Sequence, residues 1–363
     1  MDIALLRRRV AAHGLRMFAA REATPRKPSA AAALRESGIL RILICRTSQS
    51  LGNTLLVTPL LQEIEAIWPG AEIDIVTRNA IAPEIFASYP SVRHIYCLPR
   101  YAARNPMQML RQLQSVRGNR YDLAIDSDPR SRTGRALLSQ SHARYKLGFI
   151  GKRKHSAVTH GIDIQTAPAH AGQIPVHLLR SALHRSHTEY PSLDLRLTAA
   201  EREQGREILA RIVAQAGGGA KAGGTIGLFA NATGRKLLPR EWWRAFMPVI
   251  EGGYSDFSFV EIAPASGGSM LDSRYPVYYS SSVRKLSKVI SAMSMLVCLD
   301  CGIMHLARAS GTKTAAVFTV TDAAQWGPYG AGAYVVQGRD KTPEETAQNL
   351  LAAVPASQLR ATS

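Results

Sequence analysis

The chain has 363 residues, 46% hydrophobic and 20% charged, with 45 Lys and Arg against 27 Asp and Glu, a formal net charge of +18. The length suits a soluble protein of two domains. The longest apolar runs (AAVF, LLVTPLL) fall far short of the ~20 residues of a membrane span, and no secretory-signal layout is present, so a cytoplasmic location is expected. The positive balance favours anionic partners such as nucleotides or lipid headgroups. No nucleic-acid motif and no basic–aromatic interleaving is visible, so nucleic acid is not expected.

In chain order, residues 1–38 stand apart. MDIALLRRRVAAHGLRMFAA places apolar residues at 3, 5, 6, 10, 15, 17 and 18 among arginines, a basic amphipathic pattern followed by a linker-like stretch. Such a helix can lie on an anionic membrane or pack on the protein, and Gly14 weakens it either way. From Ile39 the pattern alternates. ILRILIC, AEIDIVT, VRHIYCL and YDLAIDS read as buried strands. Between them NTLLVTPLLQEIEAIW, IAPEIFASY and RNPMQMLRQLQSVRGN read as helices. Residues 163–224 read as mostly helical, and AGGGAKAGG at 216–224 as a flexible join. The alternation then restarts with TIGLFA, PREWWRAFMPVIEG, FSFVEIA, VRKLSKVISAM, MLVCLD, GIMHLARASG and TAAVFTV. The expected fold class is α/β, with two doubly wound, Rossmann-like halves of parallel sheet. The expected division is an N-terminal extension at 1–38, a first half at 39–215, a second at 216–345 and a C-terminal helix or tail at 346–363. Neither half opens with GxGxxG, which argues against a dinucleotide-dependent dehydrogenase, and no P-loop occurs.

The four cysteines, Cys45, Cys97, Cys298 and Cys301, make no disulfide framework. Cys298 and Cys301 form a lone CxxC without the second ligand pair of a zinc site, and Cys298 reads as a strand residue. No metal or cofactor is expected.

Ligands of doubly wound sheets bind beyond the carboxyl ends of strands, at helix N-termini. Three loops qualify. SLGNTLL at 50–56 follows the first strand and carries Asn53 at a helix mouth. ANATGRKLLPREWW at 230–243 carries Thr233, Gly234, Arg235 and Lys236 ahead of Pro239, and its two cations could neutralise a diphosphate leaving group. In LDCGIMHLARASG, Asp300 and Cys301 precede Gly302, where a helix start offers free N–H groups to a diphosphate, and His305 lies one turn in. Taken singly, these residues fit equally a helix cap, a solvated basic turn and a packed histidine.

Together these stretches resemble the ADP-heptose:lipopolysaccharide heptosyltransferase family. LDCGIMHLARASGTKTAAVFTVTDAAQWGPYG is similar to the family's C-terminal signature, RILICRTSQSLGNTLLVTPLLQEIEAIWPGAEIDIVT to its N-terminal strand, turn and helix, GRKLLPREWW to its Lys-x-x-Pro-x-x-x-Trp segment and YDLAIDS to its middle strand. The likeness spans about residues 39–345. It implies a GT-B fold and inverting transfer of a heptose from the donor substrate ADP-heptose to a lipopolysaccharide core acceptor, at the inner face of the inner membrane. By the same carry-over, Lys236 would contact the phosphates and Asp300, Cys301, Gly302 and His305 would line the donor site, with Thr233 and Arg235 of the basic turn read beside them as donor-binding. Cys301 stands where the family commonly has Ser or Thr.

Asn53 is the departure. The family usually has Asp there as the general base, and an amide has no basic lone pair near neutral pH. Asp126 and Asp128, at the end of the YDLAIDS strand, are the nearest substitutes by topology. Arg130, Arg132 and Arg135, with Arg144, Lys146, Lys152, Arg153 and Lys154 beyond them, could meet an anionic glycolipid acceptor or form a solvated basic face. Two other readings stay open: an impaired homologue that binds nucleotide-sugar or envelope glycolipid, and a transferase using another nucleotide-sugar.

Overall fold

The computed structural model describes residues 34–360 apart from 102–103, 152–157, 187, 218–220 and 266–267. The basic amphipathic segment read at 3–18, and Lys152, Arg153 and Lys154, lie outside the described residues.

The first half is a six-stranded sheet: β1 (Arg41–Arg46), β2 (Glu72–Thr77), β3 (Val92–Cys97), β4 (Arg120–Asp126), β5 (His142–Ile150) and β6 (His160–Asp163), in the order β3-β2-β1-β4-β5-β6. The second is β7 (Thr225–Phe229), β8 (Ser258–Ile262), β9 (Val277–Tyr278), β10 (Met295–Leu299), β11 (Thr314–Phe318) and β12 (Ala333–Gln337), in the order β12-β11-β10-β7-β8-β9. Every pairing is parallel. Counted from its own first strand, each sheet runs 3-2-1-4-5-6, the Rossmann order, and reverses direction between its first and fourth strands. Those two switch points, β1/β4 and β7/β10, are where ligand crevices open.

The central strands are buried end to end. Residues 42–46 of β1 and all of β7, β10 and β11 are buried, as strands covered on both faces by helices must be. That is why they read as unbroken apolar runs. Sheet edges were less legible. β5, with exposed Arg144 and half-buried Lys146, looked in the sequence like a basic stretch, and β6, β9 and β12 are short or half exposed. Residues 163–224 are less helical than expected: between helices Ile174–Ala182 and Ala199–Gln215, residues 185–198 carry no regular structure apart from the undescribed residue 187.

Helices close the layers and join the halves. Leu51–Leu55 (α1) and Gly302–Ala309 (α2) pack on each other from opposite halves. Helix α3 (Val283–Ser291) of the second half is capped by Glu84 of the first, whose carboxylate accepts from Ser282 Oγ (2.6 Å) and the Arg284 N–H (2.9 Å). Arg284 also binds Glu201 through Nε and Nη2, both at 2.7 Å. On the other flank, His170 Nε2 meets the Gly327 carbonyl at 2.8 Å, and Tyr329 donates to the Pro191 carbonyl at 2.8 Å. Among the described residues no helix is long and apolar enough to cross a membrane.

Candidate functional site

The two switch points face each other across a cleft of about 640 Å³. Its first-half wall is Ser50, Leu51, Gly52 and Asn53. Its second-half wall gathers Asn231 and Thr233 after β7, Lys236, Asp300 to Ile303 after β10, His305, Thr321 and Trp326. Residues 263–265 and 279–281, after β8 and β9, complete the rim.

On the second-half wall, β10 ends at Leu299 and Asp300 follows, buried to 7% exposure. Its Oδ2 takes the Lys236 ammonium at 3.3 Å and a short hydrogen bond from the Thr321 hydroxyl. Asp300 is therefore not the helix cap: Cys301 occupies that position, in extended conformation, and Asp300 instead anchors the lysine at the cleft. Lys236 sits on a 3-10 turn, Gly234–Lys236, that opens with Gly234 at φ 63°, a backbone conformation suited to glycine. Arg235 of the same turn is exposed and is not among the residues that line the cleft, whereas Lys236 is. Thr233, Lys236, Asp300, Cys301, Gly302 and His305 all line this one cleft.

His305 is 4% exposed, and its Nδ1 has no hydrogen-bond partner among the described residues. Burial, reinforced by His170 and Lys236, lowers its pKa to about 3, so the ring is neutral across the physiological range. Its packing surface is Gly52. A Cβ at Gly52 would lie 2.7 Å from His305 Cδ2, and one at Gly302 would lie 3.1 Å from Leu51 Cβ. Gly52 leaves no room for a side chain unless His305 moves, and Gly302 is a tight contact of the same kind, because α1 and α2 approach so closely. Cys298 and Cys301 are both free thiols, with Cys298 buried in β10 as expected.

On the first-half wall, Ser50 caps α1 by accepting the Asn53 N–H at 3.3 Å. The Asn53 amide donates through Nδ2 to Ser48 Oγ at 3.0 Å. Behind it, Arg46 is buried, with Nε donating to the Asn53 carbonyl at 3.2 Å and Nη1 3.8 Å from Asp128 Oδ2. Asp128 lies beside the cleft rather than in its lining, and also accepts the Arg130 N–H at 2.8 Å. Asp126 is corrected outright: its carboxylate is fully buried and accepts from Arg135 Nε at 3.0 Å, so it braces the end of β4 and does not reach the cleft. Arg135 is corrected with it. Its Nη2 donates to the Phe149 carbonyl at 2.6 Å, and the guanidinium is spent on the interior instead of an acceptor. Arg130 and Arg132 are exposed, on either side of Ser131, whose Oγ lies 2.8 Å from Thr47 Oγ1. That bond ties the loop after β4 to the loop after β1.

Sequence reasoning passed over Ser48, Arg46, Asn231, Thr321 and Trp326 as individuals. Ser48 and Arg46 lie within the quoted stretch RILICRTSQSLGN, and Thr321 and Trp326 within TDAAQWGPYG. Asn231 lies in ANATGRK.

Residues 280–354 match the family model of glycosyltransferase family 9 (heptosyltransferase). No curated protein sequence matches the chain. Among solved structures, the family 9 glycosyl transferase of Veillonella parvula superposes with a TM-score of 0.70 at 16% identity, over 90% of this chain and 96% of that one. The E. coli heptosyltransferase WaaC, solved with ADP-2-deoxy-2-fluoro heptose, gives 0.62 at 20% identity, over 88% and 98%. The E. coli ADP-heptose lipopolysaccharide heptosyltransferase II gives 0.65 at 16% identity, over 89% and 100%. The chain thus has the two-domain α/β GT-B fold of these structures and, in residues 280–354, a match to the family model of glycosyltransferase family 9 (heptosyltransferase).

Proposed function

We propose that this protein transfers a heptose from ADP-heptose, with inversion, to an anionic glycolipid of the lipopolysaccharide core, working against the inner face of the inner membrane. The observation that carries the reading is the convergence of Lys236, the N-terminus of α2 and the neutral, unpartnered His305 in one cleft between two switch points. When the bond from the anomeric carbon to the diphosphate breaks, negative charge builds on the leaving oxygen. Lys236, held by Asp300, and the free N–H groups of the α2 first turn would absorb it, and preorganised donors in a shielded cleft are worth several kcal/mol for such charge. His305 Nδ1, buried without a partner, would bind donor hydroxyls or phosphate oxygens, since a neutral ring can offer either a donor or an acceptor. The acceptor would approach from the Asn53 wall, opposite the leaving group, as inversion requires. Arg130 and Arg132 stand exposed on that side for an anionic acceptor. The basic segment at 1–38 would add membrane attraction.

The test is release of the nucleoside diphosphate from a panel of nucleotide-sugars with a core-glycolipid acceptor, with binding of each donor measured by calorimetry. The reading expects ADP-heptose to be turned over at least tenfold faster than UDP- or GDP-sugars. Equal or faster release from another nucleotide-sugar would reassign the donor. A second reading has one specific support: Asn53 stands where the family's base is expected, with its amide bonded to Ser48. On that reading the protein binds donor and glycolipid without turning them over, and the panel would show binding without release.

A further inference from the structure

A hydroxyl attacking an anomeric carbon must lose a proton, and among the described residues lining the acceptor wall of this cleft no carboxylate stands to take it. Among the described residues that line the cleft, Asp300 is the one carboxylate, and it is engaged by Lys236 and Thr321 on the donor side. Asp126 is buried on Arg135, and Asp128 faces Arg46 and the Arg130 N–H. His305 packs on Gly52 with its Nδ1 buried, and burial holds its basicity low.

What the acceptor wall does offer is hydrogen-bond donors and positive charge. The Asn53 amide carries two N–H donors, one of which goes to Ser48. The Arg46 guanidinium is buried directly behind it, with Nε on the Asn53 carbonyl and Nη1 3.8 Å from Asp128 Oδ2. The Thr47–Ser131 bond brings the loop bearing exposed Arg130 and Arg132 against the loop that leads into Asn53. A wall of this kind stabilises an anion, whereas an Asp at residue 53 would repel one.

Building on the transferase reading above, we propose that the atom this cleft glycosylates is an oxyanion of the acceptor, a phosphate-monoester or carboxylate oxygen, and not a hydroxyl. The step balances without a base. A lone pair on the oxyanion forms the new bond to the anomeric carbon, the bond from that carbon to the diphosphate oxygen breaks, and the electron pair leaves on ADP. One negative charge passes from acceptor to leaving group and no proton moves. The general base that a hydroxyl would require, worth typically 10²–10⁴-fold, is unnecessary because the nucleophile arrives ionised at neutral pH. Asn53 then serves as a donor that orients the oxyanion.

The experiment uses the full chain with ADP-heptose and three acceptors of one skeleton: a methyl hexoside, its 6-phosphate and the corresponding methyl hexosiduronate. Donor binding is measured by calorimetry, ADP release by a coupled assay, and the new linkage is located by ³¹P and ¹³C couplings to the anomeric proton. The proposal expects one of the anionic acceptors to raise ADP release at least tenfold over the neutral hexoside, with the linkage at the phosphate or carboxylate oxygen; which acceptor responds distinguishes the two sources. It also expects Asn53→Asp to reverse the preference, raising transfer to the neutral hexoside and lowering transfer to the anion. A linkage at a hydroxyl in the wild-type product, or ADP release that no anionic acceptor raises, overturns the proposal while leaving the transferase reading standing. Failure to bind ADP-heptose at all overturns both.

Discussion

The imidazole of His305, from the second half of the molecule, rests on the backbone of Gly52, from the first, so closely that a single Cβ at Gly52 would come within 2.7 Å of His305 Cδ2. The contact locks two helices across the cleft and turns the Cδ2 and Nε2 edge of the ring toward Gly52. Gly52→Ala should therefore disturb both packing and donor binding. The expected cost is about 1–3 kcal/mol, in the range of overpacking a tight site, together with a several-fold loss of ADP affinity. Thermal unfolding and calorimetry on the same variant check it; unchanged values in both would mean that the helices separate freely.

His305 also gives the molecule a pH signature. Its folded pKa, lowered chiefly by burial to about 3, lies below the ordinary 6.5, so the unfolded chain binds this proton more readily than the folded one. Stability from the neutral ring is full above pH 6.5 and declines as pH falls from there toward 3, by at most about 1.4 kcal/mol per pH unit. A His305→Gln variant should show a shallower fall of melting temperature between pH 6.5 and pH 4 than wild type. Identical slopes would contradict the buried, neutral assignment.

Glu201 acts at lower pH and at the seam between the halves. The Arg284 hydrogen bonds, outweighing partial burial, lower its pKa from 4.5 to about 2. A depressed carboxylate contributes stability that is present above the unfolded value of 4.5 and lost as pH falls through about 2. Glu201→Gln should cost about 1–3 kcal/mol at pH 7, because the half-buried Arg284 stays among Glu84, Ser88 and Leu195 with one fewer charge to meet. Urea unfolding at pH 7 and pH 2.5 measures it, and the variant and wild type should converge at the lower pH.

Asp126 and Arg135 separate a structural role from a catalytic one. Asp126 is fully buried and Arg135 mostly so, so removing the carboxylate strands the guanidinium, and Asp126→Ala should lose about 3 kcal/mol of stability. The milder Asp126→Asn should lower the melting temperature yet keep ADP affinity and turnover per folded molecule. A turnover loss of 10²-fold or more in a folded Asp126→Asn protein would return the residue to the chemistry.

How much of this was legible follows from burial. Strands β1, β7, β10 and β11, covered on both faces, are unbroken apolar runs in the sequence, and the helices between them are long enough to show their period. The edges β6 and β9 are too short for a pattern, and β5 alternates arginine and lysine with apolar residues because only part of it is covered. For the site, loops that follow buried strands announce Asp300, Lys236 and His305. What no linear pattern shows is where a charge is spent. Asp126, Asp128, Arg130 and Arg135 lie within ten residues of one another, and only three-dimensional pairing sends Asp126 and Arg135 inward and leaves Arg130 exposed. Gly52 likewise reads as an ordinary turn glycine until α2 is seen pressed against it.

The most direct test of the account is calorimetric titration of ADP-heptose into the wild-type protein and into Lys236→Ala. If the cleft between the two switch points is a nucleotide-sugar site with Lys236 on the diphosphate, wild type binds one equivalent and the variant binds at least tenfold more weakly, about 1.4 kcal/mol or more. Absence of binding to wild type, or the same affinity in both proteins, would contradict it.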